Sequence, residues 1–546
     1  AGIDRYHFVE SSGAPTRFPG STLGNSNFLG GQLAIVVPLL VMLALRERRP
    51  RVRGGLLALG GLLVAGLWIA QSRGGMLAAG VGLAVVVLLA PGLPRVARIA
   101  AAAGGTLCVA GVIVSAALII APGFRNLPGP FRHLEVLRTE STDVRGFEWS
   151  AAWCITLHHP VLGTGPDTFA VEYPRYRSRA DGAQLGLLLS DKPHNVLLES
   201  AADTGVLGLG AYLAVLTLVG IAVVRRRREA DARERLLLAG FTAAFVAYLA
   251  QAFFSIDVPP LAASGWILLG ALVALADPRL VSSRVAATTA ATRRRLPGRA
   301  ATPKREKPAR ANPWLRAGAA GVAALMLVGI GFPIVGSWRE HLAITRDSAG
   351  TLDRAASAYD AAIAVNPPEA SYREAAGFFA ELRAESSRDR AQRKHFLAVA
   401  EQRYDEALAR RPGSATYLVD LARVETIRAQ TIDAQDFAEA DRRWVAALHA
   451  DSNDWEIRNL RALALAEWAN ATGGRRDLLE RAASGFEAVV AIRPDLAVAW
   501  GDLIRVEIAI GDRARVVRTV HRAAAAIHFD FAALDRIMRR LSAPSG

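Results

Sequence analysis

Eight stretches of this chain run for 19 to 26 residues without an Asp, Glu, Lys or Arg: 27–45, 54–72, 74–94, 99–124, 204–224, 236–256, 258–276 and 317–338. An α-helix rises about 1.5 Å per residue, so each stretch is long enough to cross a hydrocarbon core about 30 Å thick. A chain of 546 residues in water would form several polar-surfaced domains, but 52% of these residues are hydrophobic and only 21% charged. The sequence predicts an all-α fold, with a polytopic membrane bundle of about eight spanning helices.

The net charge of +15 raises nucleic acid as a partner, so its location decides. Segments 46–53, 92–98, 225–235 and 277–316 together hold 24 basic and 6 acidic residues, and they are every second loop of the eight-helix count. The opposite loop 122–195 balances eight basic residues against eight acidic ones. This is the positive-inside pattern, which makes the basic charge topological and puts 1–26, 122–195 and the tail after residue 338 outside the cytoplasm. The tail 339–546 carries 30 Lys and Arg against 31 Asp and Glu, which is no footprint for nucleic acid.

Residues 1–276 are expected to form the membrane domain, with 122–195 folded over one membrane face. Residues 277–316 form a basic, disordered cytoplasmic linker of Ala, Thr, Arg, Lys and Pro, and 317–338 the last crossing. Cys108 and Cys154 are read as packing residues, because two cysteines in a helix and a loop make no disulfide framework. The chain starts at Ala1 without Met or a signal-peptide pattern, so it reads as the later part of a longer membrane protein.

The tail repeats itself. Ala355, Tyr359, Ala362 and Pro367 recur as Ala400, Tyr404, Ala407 and Pro412, as Ala440, Trp444, Ala447 and Ser452, and as Ala482, Phe486, Val489 and Pro494. The spacing places a small residue, an aromatic and a second small or apolar residue on one helix face, then ends the helix. The pattern resembles the second helix of tetratricopeptide repeats, at an unusually long period of 40 to 45 residues. It implies a helical solenoid over 339–546 that binds a protein partner.

Three polar features exceed what an anchor needs. The stretch 192–213, KPHNVLLESAADTGVLGLGAYL, sets His194 and Asn195 just ahead of the fifth apolar run, with Glu199 and Asp203 in the first turns of that helix. A carboxylate there is costly unless it faces a polar cavity. The second feature is DVRGFEWSAAW at 143–153, followed by HHPVLGTGPDTF at 158–169; the third is QSRGG at 71–75, with Arg73 between two helices. The stretch GTGPDTF lacks a phosphate-loop GK[ST] and is read as a turn, and His158 and His159 have no metal-ligand partners at suitable spacing.

In this order, from RFPGSTLGNSNFLGG at 17–31 to about Leu275, these features resemble the O-antigen ligase and polymerase family of bacterial glycan ligases. The chain departs from the usual pattern at Asp203, where Glu is common, and at Leu197, where an aromatic is common. The resemblance implies a bacterial inner-membrane, metal- and cofactor-independent enzyme. It would transfer a glycan from undecaprenyl diphosphate to an acceptor hydroxyl on a glycan, a lipid A core or a protein. Guanidinium groups bind diphosphate oxygens through paired hydrogen bonds, which makes Arg73 and Arg145 catalytic candidates. His194 suits proton abstraction from a sugar hydroxyl, oriented by Asn195 or Asp203. Glu148 either orients Arg145 or forms a surface helix pair with it, and Arg17 is a further substrate-binding candidate. The competing classes are a membrane-anchored repeat scaffold with an inactive ligase-like domain, a protein O-oligosaccharyltransferase, and a transporter. Intact charge-free runs disfavour the transporter.

Overall fold

The computed structural model describes residues 25–120, 140–187, 190–277 and 352–527. The eighth apolar run, the linker beyond Asp277 and Arg17 lie outside the described residues. The described chain is helical throughout and divides into two compact units. One contains the residues up to Tyr173 and those from Ser190 to the linker; the other contains Pro174–Leu189 and the tail.

In the first unit, the apolar runs become α1 (Ser26–Arg46), α2 (Pro50–Ala70), α3 (Arg73–Leu89) and α4 (Arg95–Ile120), then α8 (Val196–Glu229), α9 (Ala232–Ala252) and α10 (Pro259–Ala276). Between them lie α5 (Glu140–His158), α6 (Phe169–Tyr176) and α7 (Arg179–Leu185), the last belonging to the second unit. Six of the seven apolar helices have the length and hydropathy to cross a membrane. The third run yields only the 17 residues of α3, because Ser72 caps its start and extended backbone at Ala90 ends it. This is shorter than the run suggested.

Lipid offers apolar side chains no less welcome than a neighbouring helix does, so membrane helices associate through close packing of small residues. The α1–α3–α9 centre follows that rule. A Cβ on Gly75 would lie 2.8 Å from the Gly30 carbonyl carbon, and one on Gly82 would lie 2.7 Å from Pro38 and 3.1 Å from the Ala243 oxygen. Buried Ala34, Ala78, Ala243 and Ala247 extend the contact.

The fifth spanning helix differs from its expected form. Gly205 adopts φ 63° and ψ −168°, which breaks α8 into a short segment before it and a long apolar one after it. Glu199 and Asp203 therefore precede the break instead of standing in the first turns of an unbroken spanning helix.

The second unit comprises α11 (Leu352–Val365), α12 (Ser371–Ser386), α13 (Arg390–Arg410), α14 (Ala415–Thr431), α15 (Phe437–Ala450), α16 (Trp455–Ala471), α17 (Arg476–Ile492), α18 (Ala497–Ile510) and α19 (Arg513–Ile527). From α12 onward the helices form successive hairpin pairs, a tetratricopeptide-like repeat. Tyr359, Tyr404, Trp444 and Phe486 are all buried, as their shared face requires. Their polar atoms find partners: Tyr404 donates to Glu381 at 3.0 Å and Trp444 to Thr426 at 3.0 Å. The long period comes from long helices, such as the 21 residues of α13.

Candidate functional site

Helix α5 is fixed by its aromatic face. Trp149 meets Phe253 edge-on at 5.7 Å and stacks on Phe254 at 6.2 Å, just past the end of α9. The adjacent side chain, Glu148, is thereby buried to 1% exposure. Its two oxygens are both used: Oε1 accepts from the Ser190 hydroxyl at 2.6 Å, and Oε2 lies 2.9 Å from Nδ1 of His194. His194 Nδ1 also lies 3.2 Å from the Lys192 carbonyl. Both neighbours are acceptors, so in the neutral ring the proton sits on Nδ1 and Nε2 carries the lone pair. The side chain keeps 30% of its surface exposed. His194 holds φ 51°, an uncommon backbone for a residue with a side chain, and two acceptors on one nitrogen secure it.

The orientation expected from Asn195 or Asp203 is thus supplied by Glu148, and neither alternative for Glu148 was this one. Asn195 is instead the N-cap of α8: its Oδ1 accepts from the backbone N–H of Leu197 at 3.0 Å and of Leu198 at 3.1 Å. Asp203 belongs to the break. Its Oδ2 accepts from the Asp167 N–H at 3.1 Å, its carbonyl accepts from Gly165 at 2.9 Å, and the Ala202 carbonyl accepts from Thr164 at 3.0 Å. On the far side of Gly205, Val206 donates to Pro160 at 2.8 Å. The GTGPDTF turn is therefore a backbone dock that satisfies groups freed by the break, with glycine required at both Gly163 and Gly205, each at positive φ against opposing main chain.

Arg145 stands one helical turn before Glu148. No hydrogen bond or ion pair within 4 Å joins it to another described residue, and burial pulls its pKa below the ordinary guanidinium value, partly offset by the Glu148 charge. It is a half-buried cation with capacity for an incoming anion. Arg73 opens α3, next to a second network in which Ser72 caps Gly75 at 3.2 Å and Gln251 donates to the Asn27 carbonyl at 3.1 Å. Ser190 and Lys192 escaped the sequence. Lys192 pairs with Glu199 at 2.6 Å; burial lowers its pKa, but the Glu199 bond and charge win and hold the ammonium above its usual value. Among the described residues, no group of three or more His, Cys, Asp and Glu side chains is arranged to hold a metal ion, and both cysteines are free.

Residues 58–213 match the family model for O-antigen ligase. The matched segment includes Arg73, Arg145, Glu148, Lys192, His194, Asn195, Asp203 and the Gly205 break. The match and the six helices long and apolar enough to cross a membrane support a multi-pass membrane protein. The chain is also 40% identical over 119 residues to a protoheme IX farnesyltransferase of Chloroflexus aurantiacus, matching 21% of this chain and 19% of that protein. The chain thus spans about a fifth of that relative's length. Solved structures similar to part of the chain include YrrB, a TPR protein with an unusual peptide-binding site, at 20% identity over 37% of this chain and 90% of that one, with a TM-score of 0.27. MamA matches at 13% identity over 35% of this chain and 91% of that one, TM-score 0.28. A thermophilic TPR protein of Thermus thermophilus matches at 14% identity over 38% of this chain and 98% of that one, TM-score 0.25.

Proposed function

We propose that this protein transfers a glycan from an undecaprenyl-diphosphate carrier to an acceptor hydroxyl at the extracytoplasmic face of a bacterial cytoplasmic membrane. The observation that carries the proposal is the buried Glu148 holding Nδ1–H of a half-buried His194, one helical turn from Arg145, a cation that no described residue pairs. The alternation of basic loops supports the orientation.

In the transfer, the acceptor O–H gives its proton to Nε2 of His194 as the oxygen bonds to the sugar's anomeric carbon. The bond from that carbon to the diphosphate oxygen breaks, and the lipid diphosphate leaves with the electron pair. Glu148 stabilises the imidazolium that forms. Negative charge grows on the leaving diphosphate, where a guanidinium that is already desolvated binds more strongly than one in water. Arg145 and Arg73 are the candidates for this task.

The test is transfer in vitro from an undecaprenyl-diphosphate-linked oligosaccharide by protein in nanodiscs. His194→Ala is expected to lose about 10²- to 10⁴-fold in rate at unchanged membrane level. Wild-type transfer by that variant would overturn the assignment of the base. Undiminished surface glycan in cells carrying it would favour the scaffold alternative.

A further inference from the structure

The loop between α5 and α8 does not stay with its own unit. Residues 174–187 pack with the repeats, and their anchor is Arg177, whose side chain is 0% exposed. Its Nε donates to Asp451 at 3.0 Å, its Nη2 to Asp454 at 2.8 Å, and its Nη1 to the Gly186 carbonyl at 2.7 Å. Asp451 and Asp454, themselves fully buried, flank the turn between α15 and α16. Asn453 in that turn donates to the Arg177 carbonyl at 2.8 Å, and a Cβ on Gly182 would collide with the Asn453 carbonyl. Further along, the Leu187 N–H reaches Glu456 at 2.6 Å while its side chain packs with Trp444 and Ile457, and Arg493 donates to the Ala183 carbonyl at 3.1 Å. The loop therefore lies across two successive inter-repeat turns as a bound peptide would.

A buried arginine with two carboxylates is a specific lock more than a source of stability, because the desolvation of three charges offsets most of their attraction. What the lock controls follows from chain connectivity. From Leu187 to Ser190 is three residues, a reach of at most about 11 Å. Ser190 is bonded to Glu148, and Glu148 holds His194.

We propose that the inter-repeat turns of the tail are the receptor for residues 174–187 of the same chain, and that Arg177 is a positioning residue that, by anchoring this docked stretch, sets the Ser190–Glu148–His194 arrangement through the short connection from Leu187 to Ser190. The role in catalysis rests on the glycosyltransferase proposed above; the receptor itself does not. The tail is then part of the transfer machinery and not only a recruiting module.

The experiment uses the full chain in nanodiscs with Arg177→Met, Arg177→Lys and Asp451→Asn/Asp454→Asn. Hydrogen exchange is followed in peptides covering 178–187 and 190–199, and transfer in parallel. Arg177→Met is expected to speed exchange in 178–187 by about tenfold or more and to raise it in 190–199, while the repeat helices keep their protection. It is expected to lower kcat about tenfold or more with a smaller change in donor KM. Arg177→Lys, which keeps the charge but cannot make three directed bonds, falls between it and wild type. Unchanged protection of 178–187 in Arg177→Met overturns the receptor. Lost protection in 178–187 with wild-type kcat and an undisturbed 190–199 overturns the positioning role. If wild-type protein transfers nothing, the glycosyltransferase reading fails, and exchange in the two peptides still decides the receptor and its reach.

Discussion

Glu148→Gln isolates the interaction on which the proposed chemistry rests. The variant keeps size and burial: the amide oxygen can still accept Nδ1–H of His194, while the amide NH2 can donate to the Ser190 hydroxyl, whose proton has the Lys192 carbonyl as acceptor. Two losses follow. A charge-assisted hydrogen bond becomes a neutral one, which costs about 1–2 kcal/mol. The imidazolium formed during transfer also loses a full negative charge about 4 Å away, for which an effective dielectric near 20 gives at most about 4 kcal/mol. The two losses overlap, because the same charge strengthens the hydrogen bond, so the transition state is raised by about 2–4 kcal/mol, or roughly 30- to 10³-fold in kcat/KM. Steady-state transfer from a purified undecaprenyl-diphosphate donor, at matched folded protein in nanodiscs, measures it. Because Glu148 acts through His194, Glu148→Gln in a His194→Ala background should cost little more than His194→Ala alone. A drop below about threefold in the single variant, or an additive effect in the double variant, would refute the dyad.

Three further outcomes are expected. Arg145→Ala should cut kcat/KM with an undecaprenyl-diphosphate donor by about 10- to 100-fold and Arg145→Lys should recover only part of it, whereas equal activity of Ala and Lys variants would deny a charge-assisted contact. Gly205→Ala or Gly163→Ala adds a Cβ against main chain at positive φ, so each should lower the yield of folded membrane protein; normal yield and melting would show that the α8 break is not obligatory. In the repeats, burial lifts Asp420 to about 7 against the pull of Arg423, and Asp451 to about 6 against Arg177. Each binds its proton more tightly folded than unfolded, so the stability this provides is present at low pH and lost as pH climbs from about 4 to 7. Tryptophan fluorescence of the repeat unit should thus show a melting temperature about 2–4 °C higher at pH 6 than at pH 8, and a rise toward pH 8 would contradict the assignment.

Seven of the eight helices predicted from charge-free runs stand among the described residues, since lipid demands length and apolarity and both are written locally. The buried aromatics of the tail were equally visible, because their period is a property of one helix face. What escaped lies in pairings across long sequence separations. Glu148 is 46 residues from His194, and its nearer neighbour Arg145 offered a plausible local partner. Gly205 sits at the start of an apolar run, just after Asp203 and Thr204, and nothing in one glycine announces that Pro160 and Val161 will occupy the gap. The clamp on Arg177 did leave a trace: Ser452 stands where the other repeats carry Pro, and the turn around it holds the two aspartates. The deviation was legible as an exception; its meaning was not, because the partner comes 274 residues earlier.

That separation also orders events during synthesis. Arg177 emerges from the ribosome long before Asp451 and Asp454, and at about 5–20 residues per second the delay is on the order of 14–55 s. Throughout it the membrane helices can insert and the His194 loop can cross, but the loop's anchor has nothing to close on. A chain halted between the end of α8 and the α15–α16 turn would hold every described residue of the proposed site and lack the lock. Under the proposed positioning role, emergence of the α15–α16 turn is the event that lets the loop close and arms a site assembled hundreds of residues upstream.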